Sequence, residues 1–262
     1  MTLIPAQRQE SVLAALRTEG TIPLRDLAER LGVSVMTVRR DIRALEESGL
    51  VRPVSGGVQL AQGRQPPVER GRRRTLERAR KEAIARAVAA EVPRGATLYL
   101  DAGTTCQAVA AALPEGLDLT VLTRDLHTAL LVGERAGVDV YLVGGRLDPH
   151  SGATDGSMAA LATPTMVTDL CVLGTGAFDG QHGITTTSPD KVAVKLAAMS
   201  HTSKVVLAAD STKFGAVARF RVAALEDVDL VVSDSELPVL ARSVVTKRVP
   251  FADFASGSAA DD

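Results

Sequence analysis

The segment 34–45 contains three arginines whose spacing places them on one side of a helix. At about 100° per residue, Met36, Arg39, Arg40 and Arg43 point into one sector of such a helix. The other side carries apolar residues at helical spacing, namely Val35, Val38, Ile42 and Leu45. Because arginine forks suit phosphates and guanine edges, this helix could lie in the major groove of DNA. The alternative is a small helical bundle whose charged face is only solvated.

Two further helices and a β-hairpin are predicted around this segment. Residues 5–19 have the pattern of one helix and residues 23–31 that of a second. A tight turn at 32–34 follows, and Ser34 is a suitable N-cap for the third helix. Residues 50–60 then indicate two short strands about a Ser-Gly-Gly turn. This order predicts a helix-turn-helix with a wing, in which the third helix reads DNA.

A nearly continuous motif runs through this region. It is Val33-Ser34-x-x-Thr37-Val38-Arg39-Arg40-Asp41-Ile42-x-x-Leu45-Glu46-x-x-Gly49-Leu50, followed by Arg52 and Gly56-Gly57. From Arg8 to Gly57 the chain resembles the N-terminal domain of the DeoR family of bacterial transcriptional regulators. The resemblance implies a double-stranded DNA operator as partner. We expect the DNA contacts to come from Ser34, Met36, Thr37, Arg39, Arg40, Arg43 and Arg52, with Arg39 nearer phosphate and Met36, Thr37, Arg40 and Arg43 nearer base edges.

Charge is distributed unevenly along the 262 residues. Residues 1–81 hold 16 lysines and arginines against 9 acidic residues, whereas the remainder holds 14 against 22. The net charge of −1 hides this asymmetry, which fits an N-terminal part that faces phosphates. Much of the excess lies between Arg70 and Lys81. That run could touch the DNA backbone, or it could be a solvated linker and helix face.

Composition limits the class of protein. The chain is 45% hydrophobic and 23% charged, as in ordinary globular proteins. We expect a cytoplasmic protein without a membrane partner, since the sequence has neither a signal-peptide layout nor an apolar run near the roughly 18 residues of a membrane helix. The two cysteines, Cys106 and Cys171, do not suggest a disulfide framework.

Beyond a linker rich in Gly, Pro and Arg, the pattern changes to short apolar runs that alternate with helices. A helix is predicted at 78–92, and strands are predicted at 97–100, 119–122, 138–143, 170–173, 205–208 and 230–232. This alternation indicates a mainly parallel sheet. The predicted organisation is therefore an α/β chain with a winged helix-turn-helix domain and a larger parallel-sheet domain. The boundaries are 1–60 for the DNA-binding domain, 61–77 for a basic linker, 78–250 for the α/β domain and 251–262 for a flexible tail.

Glycine, hydroxyl and charged residues follow the predicted strands. The first strand ends in Asp101-Ala102-Gly103-Thr104-Thr105, where Gly103 allows a tight turn and a helix N-terminus follows. Free amides and hydroxyls in that position suit a phosphate. Similar residues follow four of the other strands, at Thr123-Arg124, Gly144-Gly145-Arg146, Gly174-Thr175-Gly176-Ala177 and Asp210-Ser211-Thr212-Lys213. Ligands of parallel sheets bind beyond the carboxyl ends of the strands, so these residues predict a ligand cleft. Neither a Walker A motif nor a GxGxxG turn is present, which disfavours nucleotides and dinucleotides.

The motifs of this second region also resemble the DeoR family, in its effector domain. They are Asp101-x-Gly103-Thr104-Thr105, Gly144-Gly145, Gly183-Ile184-Thr185-Thr186, Val194-Lys195 and Asp210-Ser211-x-Lys213-Phe214. That domain is related in fold to ribose-5-phosphate isomerase and senses phosphorylated sugars or related metabolites. The resemblance implies that Gly103, Thr104 and Thr105 hold the phosphate, Lys213 offers a cation and Asp101 binds sugar hydroxyls. The predicted effector site also includes Thr123, Arg124, Gly144, Gly145 and Lys195.

The chain departs from the family pattern at two positions. Arg124 stands where the family usually has Asn, and Lys191 stands where many members carry Glu, with Asp190 beside it. Both changes add positive charge near the predicted cleft. Either the effector is more anionic than a monophosphorylated sugar, or Arg124 folds away as a surface residue.

These features predict a homo-oligomeric regulator, a dimer or tetramer, that represses carbohydrate genes and is modulated by a phosphorylated sugar. One alternative is a DNA-binding regulator whose cleft is vestigial. Another is a sugar-phosphate isomerase, in which Asp101 or Asp179 would have to act as the base. We expect no catalytic residues, cofactor or metal, since the histidines show no ligand spacing with cysteines or carboxylates. Cys106 lies near a helix N-terminus and is interpreted as a small buried filler in preference to a redox-sensing thiol.

Overall fold

A computed structural model describes residues 4–47, 51–60 and 70–254 of the chain. Most of the predicted linker, from 61 to 69, and the end of the predicted tail, from 255 to 262, lie outside the described residues. The described part comprises a small domain up to residue 60 and a larger α/β domain from residue 70 onward. Within these residues no helix is long and apolar enough to cross a bilayer.

Three helices and a three-stranded antiparallel sheet form the N-terminal domain. The helices are α1 (Pro5–Glu19), α2 (Leu24–Leu31) and α3 (Val35–Glu47). The strands are β1 (Thr21–Ile22), β2 (Val51–Val54) and β3 (Gly57–Leu60), in the order β1-β3-β2. The predicted helix-turn-helix and wing are confirmed. Strand β1 was not predicted, because two residues are too few to show a periodic pattern.

Apolar residues from all three helices and the wing form one core. Val12 and Leu16 of α1, Leu27 of α2, and Val38 and Ile42 of α3 are buried in it. The pairing of β1 with β3 depends on Gly57, because a Cβ at that position would lie 2.2 Å from the Ile22 carbonyl oxygen. This close approach lets β3 pair with β1, which attaches the wing to the segment between α1 and α2.

The larger domain is built on a seven-stranded parallel sheet with helices around it. Its helices are α4 (Arg70–Thr75), α5 (Arg78–Ala90), α6 (Thr104–Ala112), α7 (Leu126–Gly133), α8 (Ser157–Ala162), α9 (Pro189–Met199) and α10 (Val239–Thr246). Its strands are β4 (Thr97–Leu100), β5 (Leu119–Thr123), β6 (Val138–Leu142), β7 (Arg146–Asp148), β8 (Ala153–Asp155), β9 (Thr168–Gly174), β10 (Ala177–Asp179), β11 (Gly183–Thr186), β12 (Thr202–Ala208), β13 (Phe220–Ala223), β14 (Leu230–Asp234) and β15 (Phe251–Phe254). The predicted parallel sheet is confirmed.

The order of strands in the sheet is β15-β14-β12-β9-β4-β5-β6. From β4 the chain first moves to β5 and β6, and then crosses to β9 on the other side of β4 and continues outward. The order therefore reverses between β4 and β9. A crevice forms at the carboxyl ends of strands at such a point, and it is the usual ligand site of open parallel sheets. Asp101 directly follows β4, and Gly174 ends β9.

All six predicted strands are present, although several are longer than predicted. Two elements at the predicted domain boundaries were missed, as were the short strands outside the large sheet. Phe251–Phe254, assigned to the flexible tail, is an edge strand that pairs parallel with β14, so the α/β domain does not end at residue 250. Arg70–Thr75, assigned to the linker, is helix α4. Its sequence is polar all round, so it lacks the apolar stripe from which a helix is predicted. Two small antiparallel sheets, β7-β8 and β10-β11-β13, complete the domain.

Candidate DNA-binding surface and effector site

Helix α3 is buried on one side and exposed on the other. Val38, Asp41, Ile42 and Leu45 face the core. The expected DNA-facing side chains lie on the opposite side, where Met36, Arg39, Arg40 and Arg43 are exposed and Thr37 is half-buried. Met36 is 71% exposed. The structure thus gathers basic groups and one apolar side chain on a single open face.

Ser34 caps this helix, as predicted. The backbone N–H of Thr37 donates to Ser34 Oγ over 3.1 Å. This bond satisfies an amide of the first turn and sets the point at which α3 begins. Arg43 Nε donates to Glu47 Oε1 over 3.2 Å on the exposed face. Arg52 is exposed on β2 of the wing.

A buried ion pair fixes α3 against α1. Arg8 Nε lies 2.7 Å from Asp41 Oδ2, and Arg8 Nη2 lies 3.0 Å from Asp41 Oδ1. Both side chains are almost fully buried. Asp41 belongs to the recognition motif but points into the core, so it is not a DNA contact. Paired bonds of this kind add geometric specificity as well as energy, and they orient the exposed arginines of the same helix.

At the switch point of the larger domain, Asp101 is the centre of a buried charge network. Its Oδ1 accepts from Arg124 Nε over 3.0 Å and from the Ala102 N–H over 2.7 Å. Its Oδ2 accepts from Lys195 Nζ and from the Gly174 N–H. Burial alone would raise the pKa of Asp101, but the charges of Lys195 and Arg124 outweigh it and lower the pKa to about 2. The carboxylate is therefore ionised and bonded on both oxygens.

Arg124 is buried, so the hypothesis that it folds away as a surface residue is wrong. Its Nη1 donates to the Thr154 carbonyl oxygen over 3.0 Å and to Asp155 Oδ1. Burial disfavours its charge, yet Asp101 and Asp155 raise its pKa. Two carboxylates thus balance the cations Arg124 and Lys195. Lys191 is also paired, with its Nζ 3.6 Å from Asp148 Oδ2. The two departures from the family pattern therefore do not leave unpaired positive charge in the cleft.

The Gly103-Thr104-Thr105 loop lies beside this network, at the start of α6. Gly103 has φ of +139°, and its N–H donates to Asp125 Oδ2 over 3.0 Å. Thr104 and Thr105 are half-buried, and their hydroxyls have no hydrogen-bond partner among the residues that the structure describes. The first-turn amides of α6 lack intrahelical acceptors, as at any helix N-terminus. This loop can accept an anion through amides and hydroxyls.

The other predicted effector residues have different surroundings. Thr123 is buried and donates to the Leu100 carbonyl oxygen over 2.7 Å, so its hydroxyl joins β4 to β5. Gly145 lies against the β8 end, where a Cβ would come 3.0 Å from the Asp155 carbonyl oxygen. Gly144 before it is exposed. Lys213 lies beyond β12, beside Thr212 and Asp210, two strands away from β4.

Sequence reasoning missed two residues that organise the cleft. Asp125 caps α7, and its Oδ1 accepts from the amides of His127 and Thr128. It also holds Arg70 through two bonds, of 2.7 and 3.0 Å. An aspartate just before a helix is a recognisable N-cap signal, and it could have identified Asp125. No local signal indicates Arg70, because its partner lies 55 positions along the chain.

Cys106 is fully buried behind the loop, as predicted. Burial raises the pKa of its thiol far above the ordinary value, which keeps it protonated and unreactive. Within residues 4–47, 51–60 and 70–254, no group of three or more His, Cys, Asp or Glu residues is placed to hold a metal ion.

Comparison with known families matches both domains. Residues 8–64 match the DeoR-like helix-turn-helix domain, and residues 76–235 match the DeoR C-terminal sensor domain. Residues 65–75, which include α4, lie between the two matches. The second match alone covers more than half of the chain.

Relatives match over nearly the whole length. A protein of Haemophilus influenzae described as an uncharacterized HTH-type transcriptional regulator is 32% identical over 94% of this chain and 95% of its own. The glycerol-3-phosphate regulon repressor of Escherichia coli is 30% identical over 92% and 95%. Among solved structures, ribose 5-phosphate isomerase A of Neisseria gonorrhoeae aligns over 53% of each chain, at 14% identity and a TM-score of 0.36.

Proposed function

Since this chain belongs to the DeoR family of transcriptional regulators, we propose that a phosphorylated sugar bound at the carboxyl edge of its sheet changes its affinity for an operator. The chain is a DNA-binding regulator, and its proposed role is repression of carbohydrate genes in the cytoplasm. The observation that carries the operator-binding part of the proposal is the open face of α3. On that face the arginines and Met36 are exposed, while the opposite side is buried. The face fits a major groove, in which arginine reads guanine and an apolar side chain can contact the thymine methyl.

Arg40→Ala is expected to weaken specific operator binding by roughly 1–3 kcal/mol, because a two-pronged contact to a base edge is lost. Fluorescence anisotropy with DNA from the region beside the gene measures this loss. Arg40→Lys is expected to lose nearly as much, since the ammonium keeps the charge but not the fork. Arg94→Ala removes the same charge from an exposed position on the α/β domain and serves as the matched control.

An unchanged footprint and affinity for Arg40→Ala would show that this side chain does not read the operator.

The same titration gives the number of chains for each operator. We propose a homo-oligomer, since dimers of helix-turn-helix proteins pair two half-sites, and therefore expect at least two chains on each operator. Exposed apolar side chains on α8 (Met158 and Leu161) and on the edge strand β6 (Tyr141 and Leu142) support an interface between copies.

The effector proposal rests on the loop at the start of α6. Its amides and the unpartnered hydroxyls of Thr104 and Thr105 lie at the carboxyl end of β4, the strand that borders the crevice between β4 and β9. Phosphate is the ligand group that such donors suit best. Asp101 is fully engaged by its four donors, so in this proposal its role is to hold Arg124 and Lys195 and the crevice in place.

Isothermal titration with glycerol 3-phosphate, ribose 5-phosphate and fructose 1,6-bisphosphate tests this site. We expect saturable binding of at least one of them. Thr104→Val is expected to weaken it by about 1.5–3 kcal/mol, the usual range for a hydrogen bond to a charged group. Thr246→Val, at an exposed position at the end of α10, is the matched control. Indifference to all three compounds would exclude a phosphorylated-sugar effector of this kind.

A second candidate is a regulator whose cleft no longer binds a ligand. The hydrogen bonding of Asp101 favours this candidate. The family resemblance assigns Asp101 to sugar hydroxyls, but here both of its oxygens already accept hydrogen bonds from within the protein. Operator affinity that no compound of the panel changes, together with the absence of heat in the titration, would support this candidate.

The isomerase alternative is rejected. Relatives that match over nearly the whole chain are named as regulators and repressors, and the chain is not an enzyme. The geometry agrees with this. Asp101, with a pKa near 2 and both oxygens bonded, is a poor base. Asp179 is engaged by the backbone and ring of His182.

A further inference from the structure

Helix α4 is the first described element of the larger domain, and it lies next to the proposed effector site. It packs against α6, the helix that begins at the Gly103-Thr104-Thr105 loop. Arg70, its first residue, donates to Asp125, to the Ser151 carbonyl oxygen over 2.6 Å and to Gln107 Oε1 over 3.1 Å. Asp125 Oδ2 therefore holds Arg70 Nη1 and the Gly103 N–H at once. One carboxylate joins the start of α4 to the loop.

The other end of α4 is fixed by a buried lysine. Lys81 Nζ donates to the carbonyl oxygens of Arg73 and Leu76, over 2.5 and 2.7 Å. A cation in this position satisfies the last carbonyls of a helix. With Arg70 held at its start, α4 is attached to the α/β domain at both ends.

Arg73 lies one turn after Arg70 and has a donor without an acceptor. Its Nε is buried and makes no hydrogen bond to any residue that the structure describes. Burial is the main cause that lowers the pKa of its guanidinium, followed by the charge of Arg70, while Asp148 and Asp125 act in the opposite direction. A buried donor without a partner costs free energy, so the site favours an external acceptor.

Hydrogen bonds place α4 beside the loop at the start of α6. Asp125 is bonded both to Arg70 and to the Gly103 N–H, and Arg73 lies one helical turn after Arg70. Lys81 Nζ donates to the Arg73 carbonyl oxygen, which holds that turn against the α/β domain. The guanidinium groups of α4 and the amides and hydroxyls of α6 are therefore on neighbouring elements, and both can donate to an anion.

We propose that α4 is part of the effector site and that Arg73 donates to the phosphate of the bound effector. This inference rests on the proposed function and names the residue through which it acts. The ligand then bonds directly to the segment that continues to the DNA-binding domain. An anion near Gly103 also competes with Asp125 for the Gly103 amide and for Arg70. Binding therefore changes how α4 is held, and differential contact of this kind is what couples two sites.

The experiment uses the full-length chain and inorganic phosphate as the probe, with a matched pair of variants. Arg73→Gln removes the charge and the buried Nε while its backbone still accepts from Lys81. Arg74→Gln makes the same change at the next, exposed position of α4. Phosphate affinity is expected to fall at least tenfold in Arg73→Gln and less than twofold in Arg74→Gln. Hydrogen exchange of the amides of 71–76 is expected to change with phosphate in the wild type and in Arg74→Gln only.

Two results separate this inference from the proposed function. If phosphate binding weakens in Thr104→Val but not in Arg73→Gln, the effector site stands and the role of α4 is wrong. If phosphate and the sugar phosphates do not bind the wild type at all, both are wrong. Equal losses in the Arg73→Gln and Arg74→Gln variants would indicate general charge attraction and would also overturn the inference. The change in operator affinity on adding phosphate is expected to be lost in Arg73→Gln and kept in Arg74→Gln.

Discussion

Replacing Asp101 by asparagine is expected to lower the free energy of unfolding of the α/β domain by about 3–5 kcal/mol. Breaking a buried ion pair leaves a charge without compensation, and here one carboxylate serves two cations, Arg124 and Lys195. The amide that replaces it has almost the same shape, so the loss reports charge and not volume. Urea unfolding followed by far-UV circular dichroism measures the change.

The exposed Asp139 on β6 supplies the control, since Asp139→Asn makes the same chemical change outside the network. A loss below about 1 kcal/mol for Asp101→Asn would mean that water or rearrangement compensates the two cations. Adding Lys195→Met to Asp101→Asn is expected to restore part of the stability, because the double variant removes an unpaired charge. If the double variant loses less stability than the two single variants together, Asp101 and Lys195 interact directly.

The same network makes the domain sensitive to acid. The pKa of Asp101 is lowered from 3.8 to about 2, so its contribution is complete above pH 4 and is lost as the pH falls toward 2. A shift of this size corresponds to about 2 kcal/mol. The wild type is therefore expected to lose about that much more stability than Asp101→Asn between pH 4 and pH 2.

The sequence allowed prediction of those parts of the fold that have a repeating pattern. The apolar stripe of α3 and the apolar strands of the sheet are examples, because burial imposes a period on them. Helix α4 has no such stripe. It is held by Arg70 and Lys81, which contact partners that periodicity does not indicate. Strand β15 has four residues and a single partner strand, so its pattern is too short to distinguish it from a tail.

The candidate sites divide in the same way. Which face of α3 is open could be predicted, since it is the complement of the buried face. The pairing of Arg124 with Asp101 and Asp155 could not, because it depends on where two loops meet after folding. Arg124 looked like an added positive charge in the sequence, whereas in the structure it is balanced. Charge in a cleft is set by partners in space, so a count along the chain misjudges it.

Asp41→Asn is expected to lower the melting temperature of the DNA-binding domain by roughly 10–20 °C and to abolish operator binding at 37 °C. The substitution removes the carboxylate that holds Arg8 through two short bonds in the core. Loss of one partner of a buried pair is strongly destabilising, and a domain of this size has little stability in reserve. Circular dichroism melting of the full chain, with anisotropy on operator DNA, measures both effects.

The exposed Asp26 of α2 provides the matched substitution, and Asp26→Asn is expected to shift the melting temperature by no more than a few degrees. Asp41 and Arg40 are adjacent in the motif, but Asp41 stabilises the fold whereas Arg40 is expected to contact DNA. The temperature dependence of operator binding distinguishes these two roles. Operator binding by Asp41→Asn is expected to recover at 10 °C, where the domain refolds, whereas Arg40→Ala stays weak at every temperature. Phosphate binding by Asp41→Asn is expected to equal that of the wild type, because the α/β domain is untouched. Failure of operator binding to return on cooling would mean that Asp41 acts on DNA in a way that its burial does not explain.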